Sequence, residues 1–512
     1  MGSQWYKDAV LYELDVRSFY DSDRDGIGDF AGLTDKLDYL QELGVTALVL
    51  GGSQPAPLHE DEHDPVGNHS VPGGFGSVQD LERLLAEARA RGIRVITELL
   101  VNQLSDQALD VDHPRVRRVV LKVLRHWLDV GVDGLKLDGL PNLVEGEGRG
   151  GGKPPDPHTL MREMRALIDE HYADRVLLAE TNRSPDDVAT YFGNGDECHM
   201  AFNVSLMPRL LMALKQEDRG PVVQSLRHTP DIPASCQWAL FLRDQDELSL
   251  ALCTDSERAA IYQAYAVEPH MRVNGGICRR LAPLFENDRR RLELGYALLL
   301  SLPGSPVIYY GNEIGMGDNI YLGDRASVRT PMQWSGDRNG GFSRADPARL
   351  YAPVNADPVY GFQAVNVEAQ QRQPFSLLNW MRRLIAVRRQ HLAFGRGTIE
   401  YLEPRNQSVF AYVRRHSNER ILVVANLSGK AQSVDFLLSL YAGTQPVELL
   451  GGTSFRRIGA GPYSLALGPY GFYWFLLGRR AVRPTPPYEV GARTPVSDTE
   501  ATEAPAAITG VN

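Results

Sequence analysis

Short runs of β-branched and apolar residues alternate with stretches of helical period over most of this chain, and that alternation limits the folds open to it. Val10-Leu11-Tyr12-Glu13-Leu14 is followed by Leu33, Leu37, Leu40 and Leu43, then by Val45-Thr46-Ala47-Leu48-Val49-Leu50. A helix predicted over Gln79 to Arg91 leads into Ile93-Arg94-Val95-Ile96-Thr97-Glu98-Leu99. Strand, helix and strand in repetition call for parallel strands joined by right-handed crossovers. Enough such units precede about residue 390 to close a (β/α)8 TIM barrel, with Ser305-Pro306-Val307-Ile308-Tyr309-Tyr310 as the last strand.

From about Arg396 the pattern changes to short alternating strands separated by turns: Thr398 to Leu402, Val409 to Val413, Ile421 to Ala425 and Phe472 to Phe475. The expected organisation is a barrel over residues 1–395, a small C-terminal antiparallel β-sandwich over 396–482, and a disordered tail over 483–512 that is too rich in Pro, Thr, Ala and Glu to bury a core. Gly146 to Pro157, heavy in Gly and Pro, reads as a flexible loop near the barrel mouth.

A net charge of −10 offers no basic surface, which excludes nucleic acid as a partner. No apolar stretch is long enough to span a membrane, and Met1 to Val10 lacks the apolar run of a signal peptide. The four cysteines (Cys198, Cys236, Cys253 and Cys278) show no C-x-x-C spacing, so buried free thiols in a reducing cytoplasm are expected.

Three strands are predicted to end on carboxylates: Asp138 after Gly134-Leu135-Lys136-Leu137, Glu180 after Val176-Leu177-Leu178-Ala179, and Asp246 after Phe241-Leu242-Arg243-Asp244-Gln245. Carboxylates at the C-terminal ends of separate strands are how such a barrel builds a catalytic centre. An Asp, a Glu and an Asp can serve as nucleophile, proton donor and charge stabiliser in cleaving a glycosidic bond. Any one of them taken alone reads more readily as a rim salt bridge or helix cap. Asp21-Ser22-Asp23-Arg24-Asp25-Gly26-Ile27-Gly28-Asp29 places carboxylates at every second residue around a glycine turn. Hard oxygen ligands from Asp21, Asp23, Asp25 and Asp29, with the carbonyl of Ile27, suit a structural Ca²⁺; Mg²⁺ or a metal-free acidic turn are the alternatives.

Longer strings carry a resemblance. Trp5-Tyr6-Lys7-Asp8-Ala9-Val10-Leu11-Tyr12-Glu13, Gly195-Asp196-Glu197-Cys198-His199-Met200-Ala201-Phe202, Gly311 to Asn319 and Arg329-Thr330-Pro331-Met332-Gln333-Trp334 resemble the alpha-amylase family of glycoside hydrolases, and within it the trehalose synthase branch. The likeness runs from about residue 4 to 480. It implies a barrel followed by a β-sandwich, retaining chemistry at α-glucosides, and, for the branch, interconversion of maltose and trehalose. It implies Asp138 as nucleophile, Glu180 as general acid/base and Asp246 as transition-state stabiliser, and calcium at the acidic loop. Arg329 is either a substrate contact or a rim salt bridge.

The neighbours of the three acids depart from that pattern. Lys136 stands at an Arg position and, two residues before Asp138, faces the same way. Gln103 and Gln245 replace histidines, Asp244 an asparagine, and His63 a tyrosine that stacks under the sugar, while Asp64 is retained. Gly51-Gly52-Ser53-Gln54 stands where bulky apolar and aromatic residues are expected. The family's small domain after the third strand is missing, which predicts an open, wetter site and leaves Asn102 and Asp106 without the second calcium of the family. Two readings follow. One is an enzyme hydrolysing or transferring from small α-glucosides of the maltose or trehalose type; the other is a catalytically impaired relative that binds sugar or a partner protein. Assembly as a homo-oligomer or with an active family member stays open.

Overall fold

The computed structural model describes residues 4–51, 74–100, 114–138 and 157–478. Eight parallel strands close a barrel: β1 (Leu11–Asp15), β2 (Ala47–Gly51), β3 (Arg94–Leu100), β4 (Gly134–Asp138), β5 (Val176–Ala179), β6 (Met200–Phe202), β7 (Gln237–Phe241) and β8 (Ser305–Tyr309). Each pairs with its sequence neighbour, and β8 returns to β1 with Leu11 opposite Val307 and Glu13 opposite Tyr309. Side chains alternate between two cores because strand geometry has a period of two. Leu11, Val49, Ile96, Leu178, Met200, Phe241 and Val307 pack inside the barrel, while Tyr12, Leu14, Leu48, Leu50 and Leu135 face the helices.

The helices begin where the sequence caps them. Helix α1 (Val78–Ala90) opens on a reciprocal box in which Ser77 Oγ accepts from Asp80 N and the Asp80 carboxylate accepts from Ser77 N. Its buried residues Leu81, Leu84, Leu85 and Ala88 recur at helical spacing against the barrel wall. β3 ends at Leu100 and the chain resumes as helix α2 at Pro114 (Pro114–Val130); the predicted loss of the inserted domain falls on residues 101–113, outside the described residues.

The expected strand over Phe241 to Asp246 is corrected: β7 stops at Phe241 and the carboxylate lies in the loop beyond. Asp244 Oδ1 accepts from Asp246 N at 3.0 Å, and this local turn takes the backbone out of the ladder.

The C-terminal unit is antiparallel. β9 (Thr398–Leu402), β10 (Val409–His416), β11 (Glu419–Asn426), β13 (Val447–Glu448) and β15 (Phe472–Leu476) form one sheet in the order β9-β10-β11-β15-β13. β12 (Gln432–Phe436) pairs with β14 (Tyr463–Leu467), and the two sheets share a core of Val409, Val413, Leu422, Val434, Leu465 and Phe475. β12, β13 and β14 escaped sequence reading; β12 and β14 alternate buried and exposed residues only weakly in hydropathy.

Arginines line the junction between this unit and the barrel. Arg414 on β10 is fully buried and donates to the carbonyls of Ser301 at 2.6 Å and Gly397 at 2.8 Å. Arg388, on helix α3 (Leu377–Gln390), donates to Leu300 and Gly304, and Tyr412 Oη meets Ser301 Oγ at 2.6 Å. Arg414→Met is expected to destabilise the protein by about 3 kcal/mol, because buried carbonyls lose their donors. Urea unfolding of the two proteins measures it, and a change below about 0.5 kcal/mol contradicts the role assigned to the junction.

Candidate active site

Inside the barrel, apolar layers give way to charge toward the C-terminal ends of the strands. Alternation sends Glu13 on β1, Glu98 on β3, and Lys136 and Asp138 on β4 inward. Glu180 follows directly on β5. Lys136 is completely buried, and its Nζ lies 2.6 Å from Glu180 Oε2, 3.0 Å from Glu98 Oε1 and 3.3 Å from Glu13 Oε1. Of these three glutamates only Glu180 reaches solvent, its side chain 19% exposed. One carboxylate oxygen each from Glu98, Asp138 and Glu180 lies within 4.8 Å of the other two. Asp138 and Glu180 are thus brought together, and Lys136, predicted to face the mouth with Asp138, reaches Glu180.

The charges in this cluster are strongly perturbed. Burial pushes the Glu180 carboxyl well above its ordinary range; Lys136 opposes that shift, and the charges of Glu13 and Asp138 add to it. Burial likewise lifts Glu13 to about 7 against the pull of Lys136. Lys136 stays firmly protonated: burial disfavours its charge, and the surrounding glutamates outweigh that. Asp244 is raised to about 6 by burial, although the buried Arg243 pairs with it at 2.9 Å.

Asp246 follows Asp244 through the turn the two share. Arg329 Nη2 holds its Oδ1 at 2.6 Å, and Arg325 lies 3.3 Å from its Oδ2. Arg325 also grips Glu247, and Arg329 donates to the carbonyl of Gln245 at 2.9 Å. Of the two readings offered for Arg329, the rim salt bridge is therefore made. Gln245 turns its amide inward, with Nε2 3.4 Å from Glu98 Oε1. A side chain on Gly51 would meet Gln245 Oε1 at 2.4 Å, so the missing bulk at position 51 makes room for this glutamine. His63, Asp64 and Gln103 lie outside the described residues, as do Asn102, Asp106 and the loop over 146–156.

Sequence reasoning did not single out Glu13, Glu98 or Arg325. For the two glutamates a signal was present: each stands two positions after an inward apolar residue, Leu11 or Ile96, on the same face of its strand.

At the acidic loop, one oxygen each from Asp21, Asp23 and Asp29 lies within 4.8 Å of the others. Asp25 stands apart from this group and accepts from Ile27 N at 2.7 Å. Asp21 accepts from Arg24 N at Oδ1 and from Gly26 N and Ser343 Oγ at Oδ2, and Asp29 accepts from Ser22 N at Oδ2 and from Ser22 Oγ and Gly32 N at Oδ1, which fixes the turn and leaves an uncommitted lone pair on Asp21 Oδ1 and on Asp29 Oδ2. Gly26 is at φ +98° with Arg349 O only 2.2 Å from where a Cβ would stand, so no other residue fits there.

The alpha amylase catalytic domain model matches residues 16–110 and 106–397, and the maltogenic amylase C-terminal domain model matches 399–474. The chain belongs to the alpha-amylase family. Among its relatives in that family, the trehalose synthase/amylase TreS of Mycolicibacterium smegmatis is 45% identical over 550 aligned positions, which cover 93% of each chain. That alignment is longer than the 512-residue chain, so the relative carries segments missing here. The trehalose synthase of a Pimelobacter species is 43% identical over 93% of this chain and 96% of its own. Among solved structures, the trehalulose synthase MutB of Pseudomonas mesoacidophila superposes with a TM-score of 0.69 at 22% identity, covering 93% of this chain and all of that one, a likeness of fold.

The Glu13 shift makes stability depend on pH. Its folded-state pKa of about 7 exceeds its ordinary 4.5, so the folded protein binds more protons between those values. Its contribution is greatest below pH 4.5 and is lost as pH rises through 7. Glu13→Gln is expected to flatten that decline, read as denaturant midpoint against pH; parallel curves for the two proteins exclude the shift.

Proposed function

We propose that this protein is a retaining α-glucoside-active enzyme that hydrolyses or transfers glucose from small substrates of the maltose and trehalose type. One observation carries the reading: Glu180, held above the ordinary carboxylate range, shares the barrel mouth with a carboxylate oxygen of Asp138 within 4.8 Å. That spacing favours the roughly 5–5.5 Å separation of retaining pairs over the roughly 6.5–9.5 Å of inverting ones. In this mechanism Asp138 attacks the anomeric carbon while Glu180 gives its proton to the departing oxygen. Water, or the hydroxyl of an acceptor sugar, then releases the glucosyl group with Glu180 acting as base. Asp246 offsets charge on the oxocarbenium-like transition state, steered by Arg329 and Arg325. Gln245, Asp64, His63 and Gln103 complete the sugar contacts, while Lys136, wholly buried, acts on Glu180 from beneath instead of touching the sugar. Four free, buried thiols support a reducing cytoplasmic setting, and no described helix is long and apolar enough to cross a membrane.

A second reading, a catalytically impaired sugar- or partner-binding relative, is favoured by two contacts. Lys136 already presses on Glu180, and both oxygens of Asp246 are held by arginines before any sugar arrives.

Aryl α-glucoside, maltose and trehalose assays compare the wild type with Asp138→Asn. The variant is expected to lose at least about 10³-fold in kcat/KM, and the wild type to release its first product with retained α-configuration, seen by NMR. Wild-type turnover no greater than that of the variant leaves the binding reading.

Ca²⁺ at Asp21, Asp23 and Asp29 is proposed as a structural ion, since clustered carboxylate oxygens suit a hard cation. Chelation is expected to lower the melting temperature, with recovery on adding Ca²⁺ and no response in Asp21→Asn. A wild type indifferent to both treatments rules the ion out.

A further inference from the structure

Lys136 carries one positive charge, yet three glutamates lie within ion-pair distance of it. If all three ionised, the buried group would hold a net charge of −2, with Asp138 and Asp244 close by. Such a cluster cannot stay fully ionised in a barrel interior and retains protons as a unit. Glu13 and Glu98 sit on rigid strands, and Glu98 lies directly opposite Lys136 in the β3–β4 ladder. Their places are therefore fixed, and Glu180 is the one partner open to solvent.

We propose that Glu13 and Glu98 are positioning residues that divide the charge of Lys136 between them and so keep Glu180 protonated until a sugar binds. The inference rests on the glucosidase reading for its catalytic consequence. Paired with Lys136 alone, Glu180 would be ionised and the barrel would lack a proton donor. With the ammonium engaged by two further carboxylates, Glu180 keeps its proton. It delivers that proton to the glycosidic oxygen as the C–O bond breaks and the bond from Asp138 to the anomeric carbon forms. Glu180 is then an anion beside Lys136, and regains a proton from the water or acceptor hydroxyl that attacks the glucosyl group. Among the described residues, the charged groups around Glu180 are Glu13 on β1, Glu98 on β3, Lys136 and Asp138 on β4, and Asp244 after β7; within that set the surplus positive charge is Lys136.

The test uses the isosteric variants Glu13→Gln and Glu98→Gln, with Glu98→Asp as the charge-retaining control, in the full-length protein. Without one carboxylate, Lys136 turns more fully to Glu180. The basic limb of the kcat/KM profile on maltose is then expected to move toward acid by about one pH unit in each Gln variant. The Asp control is expected to hold its limb near the wild-type position. A purely structural role would lower the rate at every pH without moving the limb, and unmoved limbs in both Gln variants overturn the proposal. Infrared absorption by protonated carboxyl groups gives a readout independent of turnover. Above about pH 7, where exposed glutamates are ionised and Glu13 itself gives up its proton, the wild type should show more protonated carboxyl than either Gln variant. Superimposable infrared titrations overturn the proposal whatever the activity. A wild type without turnover, together with the expected infrared difference, overturns the glucosidase reading and leaves the shared-proton cluster standing.

Discussion

A single buried ammonium organises the mouth of this barrel. Lys136 has no water to solvate it, so every carboxylate within reach is drawn toward it, and each of those carboxylates repels the others. That contest decides which groups carry protons and where the negative charge of the site lies. Outer features follow from the same constraint. Gln245 offers an uncharged donor toward Glu98, and the two arginines of the 325–329 segment draw Asp246 outward to the rim. The centre thus has a buried half governed by one lysine and an exposed half governed by two arginines.

Arginine at position 136 would act differently. Its planar fork binds one or two carboxylates side by side, whereas the compact ammonium of lysine can face three partners around a point. The lysine therefore goes together with the inward glutamates of β1 and β3. Gly51, by having no side chain, admits the glutamine beside them. Departures that look like separate losses in sequence adjoin one another in space, which suits a retuned centre better than random decay. The relatives named trehalose synthase share enough of the chain to fix its family, while the proton arrangement has to be argued from this protein's own residues.

Much of the architecture was legible because hydropathy has a different period in strands and helices. The barrel and the main strands of the terminal sheet could be read this way, and Asp138 and Glu180 could be placed because each closes an apolar run. Asp246 was put on a strand in error: an Asx-type turn at Asp244 ends β7 early, and such a turn leaves no mark in hydropathy. Glu13 and Glu98 went unread because a charge within a strand carries no label for its partner; only closing the barrel brings β1, β3 and β4 around one point. Arg325 is far from Asp246 in sequence, and their contact arises from the path of the segment after β8. The acidic loop was seen as a unit, but the turning of Asp25 onto Ile27 N depends on backbone angles that composition does not encode.

The arginines at the domain junction bear on how the chain comes to fold during synthesis. Arg388 and Arg414 hold the carbonyls of residues 300, 301 and 304, immediately ahead of β8, the strand that completes the ring. Arg414 belongs to the terminal sheet. A nascent polypeptide emerging from the ribosome exposes β1 and β7 as open edges until β8 follows, and the Ser301 carbonyl waits for Arg414 until more than a hundred further residues have been translated. The small terminal sheet thus acts as a clasp, added to the ring after its last strand.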